Sequence, residues 1–186
     1  MCIRDSTITG SAGDDVIYGG FGLDTIYAGG GNDTIGVVAI EAGQNADFLV
    51  DGGSGFDTVV AVQTGGIYLL GFNGIEAFSN NGFANVYIAG WTNGVENFDF
   101  SNATLTGISY ITGQGGNDTI IGSAGADKIM LSLGQDVLTG GGGADIFFME
   151  VAADSTVGVA HDVITDFLVG TDHIDLTTLD LSLIHI

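Results

Sequence analysis

Aspartates recur in this sequence inside glycine-rich units of nine residues. Three units run consecutively over residues 10–36, a fourth stands at 52–60, and four more fill 113–148 without a gap. The sixth position is aspartate and the eighth is apolar in every unit. Carboxylate oxygens are ligands that calcium prefers, so the spacing predicts a series of calcium sites. The candidate carboxylate ligands are Asp15, Asp24, Asp33, Asp57, Asp118, Asp127, Asp136 and Asp145.

These aspartates stack if two units form one complete coil of a solenoid. Residues 18 positions apart then lie on neighbouring rungs about 4.8 Å apart. Two carboxylates at that distance repel by about 3 kcal/mol at an effective dielectric of about 20. A calcium ion, with roughly six to eight oxygens at about 2.3 to 2.6 Å, bridges the same gap, so calcium binding and folding become one equilibrium. The predicted pairs are Asp15 with Asp33, Asp118 with Asp136, and Asp127 with Asp145.

The rest of each unit is suited to hold these carboxylates in place. Glycines at positions one, two and four permit the positive φ angles of a tight turn and expose backbone carbonyls for coordination. The last three residues are short, often β-branched and alternating, which predicts a brief strand with one inward side chain. The glycines expected to shape the calcium turns are Gly19, Gly20, Gly22, Gly113, Gly115, Gly116, Gly122, Gly125, Gly140, Gly141 and Gly143.

The units resemble the RTX (repeats-in-toxin) nonapeptide GGxGxDxUx, where U is a large apolar residue. The resemblance implies an all-β fold, a right-handed parallel β-roll or β-helix solenoid whose turns bind several calcium ions. It also implies a secreted bacterial protein, exported by a type I system and folding in the calcium outside the cell.

Three positions fit this pattern less well. Asp24 requires a partner one coil earlier or later, where no matching aspartate stands, so it is predicted to be half a site. The unit before Asp57 is degenerate and carries Asp47, so Asp57 is either a ligand or a solvated turn aspartate. The unit at 131–139 begins Leu-Ser-Leu instead of glycines, which predicts a less regular carbonyl cage for the pair of Asp118 and Asp136.

Residues 64–112 lose the aspartate register but keep a coil-like rhythm, with NGIEAF at 73–78 recurring as NGVENF at 93–98. We predict calcium-free β-helix rungs there. The aromatic residues of this stretch are expected to fill the core, with a carbohydrate-binding aromatic strip as the alternative. They are Phe72, Phe78, Phe83, Trp91, Phe98 and Phe100.

From residue 144 onward the chain resembles the C-terminal domain of serralysin-type metalloproteases. A DST segment at 154–156 is followed by the motif DxIxDFxxGxDxIDL, whose positions are filled from Asp162 to Leu176. The resemblance implies a further calcium bound by Asp154 and Asp162. An HExxH zinc motif is absent from the sequence, and a zinc protease requires one. No catalytic residue is therefore predicted in this chain.

The composition restricts the partners of the protein. The formal charge is −21, and 19 of the 23 acidic residues are aspartate, which argues against nucleic acid and membranes as partners and favours calcium ions. The mean hydropathy of +0.42 and the periodic apolar residues are not typical of a disordered acidic tail. The one cysteine, Cys2, lies in a segment read as foreign, so no disulfide is expected.

The ends of the sequence, MCIRDS and LSLIHI, resemble the two strands of a transposon end used in sequencing libraries. We therefore expect residues 1–6 and 181–186 to be foreign and the protein to continue into further domains. Between them we predict repeat-bearing coils at 7–63, calcium-free rungs at 64–112, a second repeat block at 113–148 and the serralysin-like segment at 149–180. Three functions stay open: a secreted calcium module, the C-terminal region of a secreted metalloprotease or other hydrolase, and a calcium-independent β-helix adhesin.

Overall fold

The computed structural model describes residues 6–37, 48–91, 93–150 and 161–178. The predicted foreign segments therefore lie outside the described residues, apart from Ser6, and so do Asp47 and Asp154. The described residues contain no helix and form short parallel strands. No described segment is a helix long and apolar enough to cross a membrane.

Most strands are short, and within the nonapeptides only the last three or four residues pair; the longest strand, β7, lies between the repeat blocks. Their bounds are β1 Thr7–Thr9, β2 Val16–Tyr18, β3 Thr25–Tyr27, β4 Thr34–Val37, β5 Phe48–Asp51, β6 Thr58–Ala61, β7 Gly65–Asn73, β8 Ala77–Ser79, β9 Val86–Ala89, β10 Asn97–Asp99, β11 Thr104–Thr106, β12 Ile108–Thr112, β13 Gly115–Gly116, β14 Thr119–Ile121, β15 Lys128–Met130, β16 Leu133–Gly134, β17 Val137–Thr139, β18 Ile146–Phe148, β19 Val163–Ile164 and β20 His173–Asp175.

The strands stack into two faces of a solenoid. One face is a sheet of nine strands in the order β1-β3-β5-β7-β9-β12-β15-β18-β20. The other face is divided between a five-stranded sheet, β11-β8-β6-β4-β2, and a four-stranded sheet, β10-β14-β17-β19. Strands β13 and β16 pair separately within the turns. The predicted parallel β-roll is confirmed.

The register shows two nonapeptides per coil inside both repeat blocks. Ile17 pairs with Ile35, and Ile120 pairs with Leu138, each 18 residues further on. Between the blocks the offset is longer: Ile35 pairs with Val59, 24 residues on. The longer offset does not change the face that each strand presents, because Ile35 and Val59 are both buried.

The core is a column of position-eight side chains. All eight are buried, and the side chains beside them in the strands are mostly exposed or half-buried. The alternation follows from the pleat of a strand, in which neighbouring side chains point to opposite faces. The column consists of Ile17, Ile26, Ile35, Val59, Ile120, Ile129, Leu138 and Phe147.

Phenylalanines continue this column through residues 64–112. Phe78 and Phe98 are fully buried, and they pair with Val59 and Ile120 of the flanking repeats. Phe72 and Phe100 pack against them, with ring centroids of Phe72 and Phe100 4.9 Å apart. The prediction of core fillers is thus confirmed for these four and, as a partly buried contact, for Phe83; a carbohydrate-binding strip made of them is wrong. Trp91 is half-buried in the turn after β9, outside the core.

Replacing Phe98 by alanine tests this core. We expect a loss of about 3 to 5 kcal/mol in the free energy of unfolding, because a fully buried ring leaves a cavity. Urea unfolding in saturating calcium measures it. The control is Phe56→Ala, at a side chain that is 55% exposed, where a change within about 0.5 kcal/mol is expected. Equal losses in the two variants would contradict the assigned core.

Candidate metal centre

The backbone of each position-six aspartate belongs to the ladder of parallel strands. The carbonyl of Asp118 accepts the amide of Val137 at 2.8 Å, and the carbonyl of Asp127 accepts that of Ile146 at 2.8 Å. The residue before a strand is therefore fixed at the rung spacing, and its side chain lies inside the preceding turn. Seven of the eight aspartates are buried and Asp15 is half-buried.

The predicted pairs stack through their side chains as well. In each pair Oδ1 of the later aspartate accepts the backbone N–H of the earlier one. Asp15 donates to Asp33 at 2.8 Å and Asp127 donates to Asp145 at 2.9 Å. Asp118 donates to Asp136 in the same way at 2.8 Å. Each carboxylate is thereby held over the neighbouring turn.

The stacks extend further than the pairs predicted from an 18-residue period. Asp33 donates to Oδ1 of Asp57 at 2.8 Å, and Asp57 is fully buried. The interpretation of Asp57 as a solvated turn aspartate is therefore wrong. Its partner is Asp33, 24 residues earlier, because the coil between them carries six more residues than a pair of nonapeptides.

At the other end of the chain, Asp162 and Asp172 join the stacks. Asp136 donates to Oδ1 of Asp162 at 2.9 Å and Asp145 donates to Oδ1 of Asp172 at 3.1 Å. Asp172 does not follow from the nonapeptide alignment. Its signal in the sequence is the aspartate with isoleucine two residues on, the same spacing as positions six and eight.

Two glutamates also occupy position six. Asp57 donates its backbone N–H to Oε2 of Glu76 at 2.8 Å, and Glu96 donates its N–H to Oδ1 of Asp118 at 2.8 Å. Neither glutamate follows from a pattern that requires aspartate. The signal that identifies them is phenylalanine two residues on, at position eight. Residues 64–112 thus lose the aspartates but keep acids in the register.

Three acid ladders result. The first ladder is Asp15, Asp33, Asp57 and Glu76; the second ladder is Glu96, Asp118, Asp136 and Asp162; the third ladder is Asp127, Asp145 and Asp172.

Asp24 stands apart from the three ladders. Its Oδ1 accepts the amide of Ser6 at 2.8 Å. On the following rung Thr25 pairs with Leu49, so that Phe48 takes the place opposite Asp24. The register therefore places no acid opposite Asp24 on either neighbouring rung, and half a site at Asp24 stays a prediction.

The second carboxylate oxygen separates the aspartates into two groups. Oδ2 of Asp127 accepts the amide and the hydroxyl of Ser123 at 2.6 and 2.9 Å, and Oδ2 of Asp136 accepts the Ser132 hydroxyl at 2.9 Å. Among the nonapeptide aspartates, four other Oδ2 atoms are buried and accept no hydrogen bond from the residues that the structure describes. They belong to Asp24, Asp33, Asp57 and Asp118. A buried carboxylate oxygen without a partner is costly, and a bound cation removes that cost.

Backbone carbonyls converge on the same space. A Cβ added to Gly122 would collide with the carbonyl oxygen of Gly140 on the next rung and lie 2.8 Å from Oδ2 of Asp127. A Cβ added to Gly10 would likewise meet the carbonyl of Ala28 and lie 2.8 Å from Oδ2 of Asp15. In these two turns, glycine at position one lets a carbonyl and a carboxylate approach each other.

The predicted positive φ angles occur at position two wherever it is glycine and at position four except for Gly13 and Gly125, but not at position one. Glycine there is needed for close approach, as at Gly122, and not for a left-handed backbone. Of the 11 glycines predicted to shape the turns, five adopt positive φ: Gly20, Gly22, Gly116, Gly141 and Gly143.

No three side chains of His, Cys, Asp or Glu come together as a metal site among the described residues. A calcium ion between two turns is therefore limited to about two carboxylates, and its remaining ligands are carbonyls. This fits calcium, a hard cation that accepts roughly six to eight oxygens of either kind.

Burial and repulsion between neighbouring carboxylates raise the pKa of aspartates in the ladders. Burial, with the charges of Asp118 and Asp162 adding to it, raises the pKa of Asp136 to about 6. Burial also raises the pKa of Asp57, with repulsion from Asp33 and Glu76 adding to it. The carboxylates are thus destabilised in their charged form, which is the form that binds calcium.

Comparison with protein families agrees with this geometry. A family model described as the RTX calcium-binding nonapeptide repeat matches residues 4–35, 105–138 and 130–148, in four copies. The matched residues carry RTX calcium-binding repeats. Curated proteins give no match. The RTX prediction is confirmed, and the stretch that carries Asp57, Glu76 and Glu96 lies outside the matched residues.

Alanine at Gly122 tests the space at position one of an RTX turn. We expect the calcium midpoint of folding to rise, with a destabilisation of about 1 to 3 kcal/mol, because the new Cβ fills the space beside Oδ2 of Asp127. The control is Gly13→Ala, where a Cβ meets nothing within 4 Å. Neither glycine has a positive φ. Calcium titrations followed by circular dichroism that shift equally in both variants would contradict the assignment.

Protonation of ladder carboxylates is expected to stabilise the calcium-free fold in part, as calcium binding would. A carboxyl whose pKa is raised on folding adds stability below its unfolded pKa, and this stability is lost as the pH rises through the folded pKa. For Asp136 that window runs from an ordinary value of about 3.9 to about 6. The calcium-free chain should gain β structure as the pH falls through this window. Circular dichroism of the metal-free protein measures it, and β content that decreases instead would contradict the ladders.

Proposed function

We propose that this chain is a calcium-dependent folding module of a secreted bacterial protein. The observation that carries the proposal is the set of buried Oδ2 atoms in stacked turns, aimed into spaces where carbonyls of the neighbouring rung also point. RTX repeats bind calcium as a family, and these ladders supply the carboxylates and carbonyls such binding requires. The role is structural, with no catalytic residue assigned.

The charge of the chain explains why folding should depend on the ion. Each ladder brings acids to one rung spacing, where neighbouring carboxylates repel by about 3 kcal/mol at an effective dielectric of about 20. Lys128, the only lysine or arginine among the described residues, lies 4.4 Å from the centroid of the Phe148 ring. The counter-charge for the ladders must therefore come from bound cations.

Folding that depends on calcium is compatible with export through a type I secretion system. A chain that cannot fold in the low calcium of the cytosol stays unfolded for threading through a type I secretion channel and folds once outside. The affinity typical of extracellular calcium modules, about 10⁻⁴ to 10⁻³ M, suits such a switch. The charge of −21 also disfavours nucleic acid and anionic membranes as partners, and we expect further domains on the same polypeptide.

The serralysin resemblance concerns the parent protein rather than this module. The structure places Asp162 and Asp172 of the resembling motif in the second and third ladders, which supports a calcium-bound end of the roll. An attached metalloprotease or other hydrolase domain stays a proposal. The upstream reading frame tests it, because a serralysin-like parent must encode an HExxH segment.

Circular dichroism with and without calcium tests the module. We expect β structure to appear cooperatively as calcium is added and to disappear with a chelator. Asp127→Asn should raise the midpoint about tenfold or more, because a charge-assisted interaction is worth about 1.5 to 3 kcal/mol.

The matched control is Asp99→Asn, which makes the same charge change at an exposed aspartate outside the ladders. Its midpoint should stay near that of the unchanged protein. Spectra that superimpose in calcium and in chelator would reject calcium-dependent folding and favour a calcium-independent β-helix adhesin.

A further inference from the structure

We propose that Glu76 and Glu96 are calcium ligands, so that the two Asn-Gly-x-Glu-x-Phe segments are RTX turns with glutamate at position six. Each would close one acid ladder with an additional calcium site, formed by Asp57 with Glu76 and by Glu96 with Asp118. The inference rests on the proposed calcium binding and extends it into the stretch outside the recognised repeats.

The backbone of both glutamates follows the register of the aspartates. The carbonyl of Glu76 accepts the amide of Thr104 at 2.9 Å, and that of Glu96 accepts the amide of Thr119 at 2.9 Å. These are the bonds that the carbonyls of position-six aspartates make to position seven of the next rung. Phe78 and Phe98, two residues on, are fully buried, as position eight requires.

The site of Asp57 and Glu76 repeats the contact between a carbonyl and a carboxylate that is seen at Gly122, in a turn of three residues from Gly74 to Glu76. A Cβ on Gly52 would collide with the carbonyl oxygen of Gly74 and lie 2.6 Å from Oδ2 of Asp57. This repeats the arrangement at Gly122, with Gly74 supplying the carbonyl that Gly140 supplies there. Oδ2 of Asp57 is buried and accepts no hydrogen bond from the described residues. Glu76, bound to the Asp57 amide through Oε2, provides the carboxylate of the neighbouring rung.

The turn before Glu96 is an RTX turn with one inserted residue. The amide of Gly90 bonds the carbonyl of Thr112 at 2.9 Å, as the amide of Gly122 bonds that of Thr139 at 2.9 Å, so Gly90 occupies position one. From Gly90 to Glu96 the turn has seven residues instead of six. Glutamate is one methylene longer than aspartate, and its Cγ reaches back to 2.7 Å from the Cβ position of Gly90.

The facing turn completes this site. A Cβ on Gly116, at position four, would collide with the carbonyl oxygen of Gly94, as a Cβ on Gly134 would collide with that of Gly116. Gly94 therefore takes position four in the turn of Glu96. Oδ2 of Asp118 is buried on this side and accepts no hydrogen bond from the described residues. A carbonyl and two carboxylates thus converge between the two turns.

Calcium stoichiometry is the first test. Isothermal titration of the full chain with calcium should show one ion fewer in Glu76→Gln and one fewer in Glu96→Gln than in the unchanged protein. Glu150→Gln, at an exposed glutamate outside the ladders, is the matched control and should bind the full number. Unchanged stoichiometry and affinity in both ladder variants would overturn the proposal.

Terbium luminescence tests the Glu96 site individually. Trp91, the one tryptophan of the chain, lies in the turn between Gly90 and Glu96. Terbium takes the oxygen sites of calcium and luminesces when an excited indole nearby transfers energy to it. We expect a signal excited through Trp91 that calcium displaces, that Glu96→Gln abolishes and that Glu76→Gln leaves in place. A signal that survives Glu96→Gln at the same terbium midpoint would exclude Glu96 as a ligand.

Two further outcomes are distinguishable. If Glu96→Gln does not reach the circular dichroism of the unchanged protein in calcium, Glu96→Asp retains the charge but withdraws the carboxylate by one methylene. A lost Trp91 signal in that variant supports ligation, and a retained one rejects it. If the unchanged protein binds neither calcium nor terbium, the proposed function fails. If it binds both ions and the glutamate substitutions change neither the calcium stoichiometry nor the Trp91-excited signal, the inference alone fails.

Discussion

Parallel stacking at a fixed rung spacing is the constraint on which this molecule depends. A solenoid that places identical residues above one another places identical charges above one another as well, and here the repeated residue is aspartate. The turn is too tight for the carboxylates to turn outward, because Oδ1 is fixed by the amide of the preceding rung. Repulsion is therefore part of the fold, and a cation bound between the rungs or protonation of a carboxylate lowers its cost.

Position two of the nonapeptide modulates this dependence. Where it is serine in the second repeat block, at Ser123 and Ser132, the hydroxyl donates to Oδ2 of the aspartate four residues on. In the first block Ser11 donates its amide, not its hydroxyl, to Oδ2 of Asp15. Where position two is glycine, as before Asp33 and Asp57, or glutamine, as before Asp118, Oδ2 is left buried without such a donor. A neutral donor lowers the cost of the calcium-free turn but supplies no positive charge. The turns of the ladders therefore differ in how strongly their stability depends on calcium.

The sequence alone predicted the period, the core column and the stacking inside each repeat block, since these follow from nine-residue spacing and the pleat of a strand. It did not predict that Asp57 stacks on Asp33, because the coil between them is six residues longer and the register is restored only by the buried pair of Ile35 and Val59. The sequence did not predict the two glutamates at position six for a related reason. Their turns have lengths other than six, so periodicity alone cannot align them.

The stretch between the two repeat blocks joins them through apolar packing. On one face the nine-stranded sheet continues without a break, whereas the other face changes sheets between β11 and β10. Phe72, Phe78, Phe98 and Phe100 fill the interior at that step, with the rings of Phe78 and Phe100 5.2 Å apart. Because Phe78 lies two residues after Glu76 and Phe98 two after Glu96, the last acid of the first ladder and the first acid of the second are attached to one aromatic cluster. A calcium ion that fixes either glutamate thereby also orders the core that both blocks share.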